Sequence, residues 1–131
     1  MRRPLVTSHA ACKGHAPENT LAAARLGAAH GYAAFECDVK LSADGVPFLL
    51  HDATLARTTD GRGVAGERTW ADLSRRDAGS WHGRSWAGEP IPNIPEMQRF
   101  FPAMDAALEA ITQGRQSPKE ALDGAAARMV T

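Results

Sequence analysis

Apolar and polar residues alternate over residues 35–41, and this period of two is typical of a β-strand whose two faces meet different surroundings. The apolar positions are Phe35, Cys37, Val39 and Leu41. Glu36 and Asp38 share the other face, about 7 Å apart at a rise of roughly 3.3 Å per residue. Two carboxylates at this spacing suit a hard divalent cation, so the pattern indicates a candidate metal site.

A second strand is predicted by the nearly continuous apolar run over residues 46–50. The Asp44-Gly45 pair before it supplies the positive φ that a tight connection needs. His51 follows directly at the end of the run. An imidazole at the end of a strand is a candidate general acid or base.

The chain before these strands is predicted as strand, loop and helix. Residues 5–8 form a short apolar run that ends at His9. A helix over residues 21–30 is predicted after a cap at Asn19 or Thr20, and a glycine ends it. A strand–helix–strand unit of this length favours parallel strands joined by a right-handed crossover.

Parallel sheets with helical crossovers gather functional groups at the carboxyl ends of their strands. His9, Glu36, Asp38 and His51 all fall at or near such an end. We therefore expect two imidazoles and two carboxylates at one edge of the sheet. This combination suits proton transfer beside a bound cation.

Composition and charge narrow the class of partner. The 131 residues are enough for one compact domain. Fifteen basic residues balance fifteen acidic ones, so no strong field favours nucleic acid or an anionic membrane.

The start of the chain has no apolar run long enough for a signal peptide or a membrane span, which predicts a cytoplasmic protein. Cys12 and Cys37 are then expected to be reduced thiols.

His9 and the four motifs that follow it resemble the amino-terminal part of the glycerophosphodiester phosphodiesterases, over about residues 4–97. The motifs are Ala16-Pro17-Glu18-Asn19-Thr20, Phe35-Glu36-Cys37-Asp38, His51-Asp52-Ala53-Thr54 and Asp77-Ala78-Gly79-Ser80-Trp81. Residues 64–67 and 88–90 are similar to the cytoplasmic bacterial members of that family. The resemblance implies a metal-binding hydrolase that cleaves glycerophosphodiesters to glycerol 3-phosphate and an alcohol with Mg²⁺ or Ca²⁺.

The resemblance also implies a fold and a role for each matched residue. The fold is α/β, a partial TIM barrel with the first three strands and one crossover helix within residues 1–97, and residues 54–94 match the family's small insert. Glu36 and Asp38 match metal ligands. His9 and His51 match the general acid/base pair.

Two departures from the family pattern predict impaired catalysis. Where the family has His-Arg-Gly, this chain has His9-Ala10-Ala11, so the guanidinium that would hold the phosphate in a bidentate fork is absent. Lys13 offers a nearby point charge instead. A complete barrel takes about 250 residues, so a third metal carboxylate and a lysine from a later strand are missing. The alternative is a non-catalytic remnant, which binds a cation weakly, or a fusion product.

Residues 98–131 predict a helical hairpin. A first helix over residues 101–113 is closed by Gly114, and the capping box of Ser117 and Glu120 opens a second. This short, alanine-rich hairpin resembles the carboxyl end of the solute-binding proteins of ABC transporters. A solute-binding or interaction module therefore stays open, as does an ordinary hairpin that covers the sheet.

A partial barrel leaves a sheet edge with unpaired N–H and C=O groups. We therefore expect low stability or self-association through this edge. The other partner implied is a small-molecule glycerophosphodiester, with no nucleic acid and no membrane span.

Overall fold

A computed structural model of the chain describes residues 7–130. The chain divides into two compact units between Asn93 and Ile94. Leu5 and Val6, which belong to the predicted first strand, lie outside the described residues. No helix in the described part of the chain combines the length and the apolar character that crossing a membrane requires.

The first unit begins with a strand–helix–strand arrangement. Strand β1 (Thr7–Ser8) and strand β2 (Ala34–Phe35) pair in parallel, and helix α1 (Leu21–Ala29) connects them. The Thr20 hydroxyl caps α1 by accepting a hydrogen bond from the backbone N–H of Ala23 at 3.2 Å. The predicted helix, its cap and the parallel pairing are confirmed.

The predicted strand over residues 35–41 is interrupted. Its second part, β3 (Val39–Leu41), pairs antiparallel with β4 (Pro47–Leu49), and Gly45 takes a φ of +78° in the turn between them. The expectation that the third predicted strand continues a parallel sheet is therefore wrong.

A change of backbone partner explains the interruption. The Glu36 N–H donates to the carbonyl of Ser8 at 2.9 Å, whereas the carbonyl of Asp38 accepts from Leu50 at 3.0 Å. The chain thus leaves β1 and joins β4 within three residues. Because β4 runs antiparallel to β3, its carboxyl end lies beside the start of β3, and His51 emerges next to Asp38.

The loops and short helices that follow β4 pack against the apolar side chains of this hairpin. Helix α2 (Trp70–Leu73) is capped by Thr69, and one turn of 3-10 helix spans Ala65–Glu67. The main core cluster consists of Phe48, Leu50, Leu55, Ala65, Leu73, Ala78 and Ile91. The cluster fixes β4 and therefore the strand end that carries His51.

Asp77 ties two loops of this region together. Its carboxylate accepts the Ser80 hydroxyl at 2.6 Å and the backbone N–H groups of Gly79, Ser80 and Gly88 at 2.8, 2.9 and 3.0 Å. The bonds from Ser80, followed by those from Gly88 and Gly79, hold the pKa of Asp77 well below its usual range. The charge of Asp77 therefore stabilises this corner at neutral pH.

The second unit is a helical hairpin. Helix α3 (Phe100–Thr112) and helix α4 (Pro118–Val130) pack together through small side chains. The buried contact consists of Ala103, Ala107, Ala121 and Ala125. The Ser117 backbone N–H and hydroxyl donate to the Glu120 carboxylate at 3.0 and 2.7 Å, which confirms the predicted capping box.

Candidate functional site

The loop after β1 holds the first imidazole. His9–Ala11 form one turn of 3-10 helix in which Ala10 and Ala11 have φ values of +46° and +54°. Non-glycine residues seldom adopt this conformation, and an adjacent partner must hold it in place. That partner is Glu36, whose carboxylate accepts the Ala10 N–H at 3.1 Å and whose backbone carbonyl accepts the Ala11 N–H at 3.2 Å.

Glu36 also lies close to the first imidazole. Its Oε2 is 3.6 Å from Nε2 of His9, and the two side chains are 49% and 65% exposed. Oε2 of Glu36 also accepts the Ala10 N–H. Glu36 thus connects β2 to the loop and presents its carboxylate beside His9.

Asp38 is held by an asparagine from the loop before α1. Asn19 donates from Nδ2 to Asp38 Oδ2 at 3.0 Å, and its Oδ1 accepts the Asp38 N–H at 2.9 Å. Asn19 is buried and has a φ of +55°, which asparagine tolerates better than most residues. Its own N–H donates to the Ala10 carbonyl at 3.1 Å. The Glu36 and Asp38 carboxylates therefore both contact the segment from Ala10 to Asn19.

His51 is the first of four side chains that are connected in series by hydrogen bonds. Its Nδ1 lies 2.8 Å from Asp52 Oδ1, and Arg57 donates from Nε to Asp52 Oδ2 at 2.8 Å. Arg57 also donates from Nη2 to Glu18 Oε1 at 2.6 Å and from Nη1 to Glu18 Oε2 at 3.1 Å. The hydrogen bonds from Arg57, then that from His51, hold the pKa of Asp52 well below its usual range.

One pocket of about 240 Å³ contains both imidazoles. It is lined by His9, Ala10, Lys13, Glu18, His51, Asp52 and Arg57. Glu36 and Asp38 do not line it, although Glu36 contacts its wall at His9 and Ala10. A larger cavity of about 580 Å³ beside α1 contains none of the four predicted site residues.

The sequence pattern did not assign a role at this site to Glu18 or Asn19, and it did not predict the ion pairs of Arg57. From the sequence, Asn19 is predicted only as a helix cap. Their contacts join residues far apart along the chain, and Arg57 and Glu18 are separated by 39 positions. The family motif over residues 16–20 contains both Glu18 and Asn19. The resemblance could therefore have indicated that these two residues belong to the site.

Replacing Asn19 by alanine is expected to lower the free energy of unfolding by about 2 kcal/mol. The change removes both hydrogen bonds to Asp38 and puts alanine in a backbone conformation that it disfavours. Urea unfolding of the variant measures the loss. Asn93→Ala is the matched control because the Asn93 side chain is exposed and makes no hydrogen bond within the described residues. Equal unfolding midpoints for the two variants would contradict the proposed role of Asn19.

Solved structures with the same architecture define the class of the fold. A glycerophosphodiester phosphodiesterase from Agrobacterium tumefaciens superposes with a TM-score of 0.69 at 38% identity, covering 74% of this chain and 43% of that one. An Oleispira antarctica phosphodiesterase, in complex with the product sn-glycerol-3-phosphate, gives a TM-score of 0.68 at 45% identity, covering 70% and 37%. These are TIM-barrel proteins, and the first unit is a partial α/β version of that fold, with no closed barrel within residues 7–130.

Sequence relatives define the family. The sequence profile of the glycerophosphoryl diester phosphodiesterase family matches residues 9–124. The glycerophosphodiester phosphodiesterase of Caldanaerobacter subterraneus is 37% identical over 95 residues, which cover 72% of this chain and 39% of that protein. The chain belongs to the glycerophosphoryl diester phosphodiesterase family.

The comparisons also concern the length of the chain and its carboxyl-terminal hairpin. The chain spans 37–43% of the length of the three relatives described. The resemblance of the hairpin to ABC-transporter solute-binding proteins has no support, because the family match extends to residue 124. The domain boundary predicted at residue 97 stays a prediction.

Proposed function

We propose that this chain binds a glycerophosphodiester and hydrolyses it to glycerol 3-phosphate and an alcohol. The observation that carries the proposal is the placement of His9 and His51 in one pocket, although they follow different strands. Family membership supports the reaction class. The Oleispira relative was solved with sn-glycerol-3-phosphate, the product expected here.

His9 and His51 would perform the proton transfers. One imidazole takes a proton from the attacking hydroxyl, and the other gives a proton to the oxygen of the leaving alcohol. Both side chains are more than half exposed, at 65% and 59%, so substrate can reach them. A pair of this kind needs no covalent intermediate on the protein.

Glu36 and Asp38 would hold a divalent cation, Mg²⁺ or Ca²⁺. Carboxylate oxygens are the ligands that these hard cations prefer, so the donor chemistry fits. No group of three or more histidine, cysteine, aspartate or glutamate side chains within residues 7–130 is arranged to hold a metal ion. Mg²⁺ often binds through one or two carboxylates, with water and phosphate completing its shell. A bound cation would neutralise negative charge on the phosphoryl oxygens.

Lys13 would provide a positive charge for the phosphoryl group. Arg57 lines the same pocket, but its guanidinium is bound to both Asp52 and Glu18. Lys13 is exposed and forms no ion pair among the described residues. A lysine binds phosphate as a point charge and lacks the fork of an arginine. Because Ala10 replaces the arginine of the family pattern, we expect slower hydrolysis than in a relative that has this arginine.

A cation-dependent assay tests the proposed function. Purified protein is incubated with glycerophosphocholine and Mg²⁺ or Ca²⁺, and glycerol 3-phosphate is measured. A chelator should abolish product formation, and Glu36→Gln should lower the rate at least about tenfold by removing one anionic ligand. Glu67→Gln is the matched control because Glu67 is exposed and does not line the pocket.

The assay also separates the alternatives. Hydrolysis that is insensitive to the chelator and to Glu36→Gln would contradict the cation site. The absence of product from the unmodified chain would contradict catalysis. Calorimetric binding of Ca²⁺ without turnover would then favour a non-catalytic remnant, and binding of glycerol 3-phosphate would favour a solute-binding module.

We also infer that the chain self-associates through its sheet edges. Each described sheet has two strands, and Leu41 on β3 is 40% exposed. Apolar side chains beside unpaired strand edges favour pairing between chains. Sedimentation velocity should show species larger than the monomer that increase with concentration, and Leu41→Glu should decrease them. A monomer at every concentration would contradict the inference.

A further inference from the structure

The imidazole of His51 has one ring nitrogen bound to a carboxylate. Nδ1 lies 2.8 Å from Asp52 Oδ1. An ionised carboxylate only accepts hydrogen bonds, so Nδ1 carries the proton and donates it in this contact. In the neutral ring the other nitrogen, Nε2, then has a lone pair that can accept a proton.

We propose that Asp52 is a positioning residue that fixes His51 in the Nδ1–H tautomer and makes Nε2 the base of the reaction. The role in catalysis rests on the proposed function, whereas the tautomer does not. The attacking hydroxyl of the substrate's glycerol moiety gives its proton to Nε2 of His51 as its oxygen bonds to phosphorus. The phosphorus–oxygen bond to the leaving alcohol breaks, and that oxygen receives a proton from His9. Water then opens the resulting cyclic phosphate to glycerol 3-phosphate by the reverse proton transfers, which return both imidazoles to their starting states.

Arg57 keeps Asp52 ionised and aligned. It donates from Nε to Oδ2 and from Nη2 to Oδ1, both at 2.8 Å, so the two groups form a bidentate pair. A planar guanidinium fixes the plane of the carboxylate that it binds in this way. The oxygen that faces His51 is therefore held in place by a second donor. Rotation of the Asp52 side chain would break all three hydrogen bonds.

Glu18 anchors the same guanidinium from another segment of the chain. Its two carboxylate oxygens accept from Nη1 and Nη2 of Arg57, and its side chain is only 11% exposed. Glu18 precedes α1, whereas Asp52 and Arg57 follow β4. The four side chains thus join the two segments that line the pocket, and the orientation of His51 depends on both.

Nitrogen-15 NMR of the imidazoles tests the tautomer. Spectra are recorded at mildly alkaline pH, where histidine is neutral, and the His51 signals are those lost in His51→Ala. We expect the unmodified chain to show the Nδ1–H form of His51. In Asp52→Asn the single amide oxygen is engaged by Arg57, so the amide NH₂ faces Nδ1 and the ring changes to the Nε2–H form. Asp105→Asn, an exposed aspartate on α3, is the matched control and should leave the spectrum unchanged.

Kinetics of the same variants test the consequence. Asp52→Asn should lower kcat by about tenfold to a hundredfold while KM changes little, because the base has the wrong tautomer. Should Asp52→Asn not fold, Arg57→Lys gives the same readout, since it removes the fork and should decrease the Nδ1–H fraction. An Nε2–H form in the unmodified chain, or an unchanged Nδ1–H form in the variant that folds, would overturn the proposal. A correct tautomer with no hydrolysis in the unmodified chain would overturn the proposed function alone.

Discussion

Replacing Gly79 by alanine is expected to lower the free energy of unfolding of the first unit by about 3 kcal/mol. A Cβ atom at this position would lie 1.8 Å from the backbone oxygen of Trp86 and 2.8 Å from the Cβ of Glu89. These distances are far shorter than any van der Waals contact, so two backbone segments would have to separate. The same separation would strain the Ala78 to Glu89 hydrogen bond of 2.8 Å.

Urea unfolding followed by tryptophan fluorescence measures this effect, because Trp81 and Trp86 lie in the affected region. Gly14→Ala is the matched control, since a Cβ at Gly14 would have no neighbour within 4 Å. That control should shift the free energy of unfolding by no more than about 0.5 kcal/mol. Similar unfolding midpoints for the two alanine variants would show that the loops separate without cost.

Replacing His51 by alanine is expected to lower the rate of glycerophosphocholine hydrolysis at least about a hundredfold. The variant loses one of the two imidazoles in the pocket, and water replaces a positioned base only poorly. The fold should persist, because His51 is 59% exposed and lies outside the core clusters. Glycerol 3-phosphate release measures the rate, and thermal unfolding verifies that the variant is folded.

His15→Ala serves as the control for this experiment. His15 is exposed, its ring contacts only His30 among the described aromatic and histidine rings, and it does not line the pocket. Its replacement should leave the rate unchanged. Equal rates for the His51 and His15 variants would contradict a catalytic role for His51 and would leave His9 as the remaining candidate.

The helices of this protein could be predicted because their signals are local. Thr20 caps α1, and Ser117 with Glu120 caps α4, within three residues of the bonds that they make. The strand over residues 35–41 was predicted too long for the opposite reason. Alternation of side chains continues through Glu36 and Asp38 although the backbone partner changes there, and the pattern of side chains does not record that change.

The candidate site was predictable to a similar extent. His9 and His51 do line one pocket, although the parallel sheet from which their proximity was predicted does not extend to β4, which runs antiparallel to β3. The supporting contacts were not predictable, because Asn19 with Asp38 and Glu18 with Arg57 meet only after α1 has packed. An exposed charged side chain such as that of Arg57 can adopt many solvated conformations in the unfolded chain. Its ion-pair partners are determined only when the loops have folded.

The antiparallel hairpin of β3 and β4 separates the site into a local part and a remote part. Asp38 and His51 flank the two strands of one local hairpin, so they would come together early in folding and remain close if β1 frayed. His9 depends on the two-residue pairing of Thr7–Ser8 with β2, which closes across a whole helix. Transient fraying of β1 would therefore withdraw one imidazole and leave the other in place, and rapid hydrogen exchange at the Glu36 amide would report each such opening.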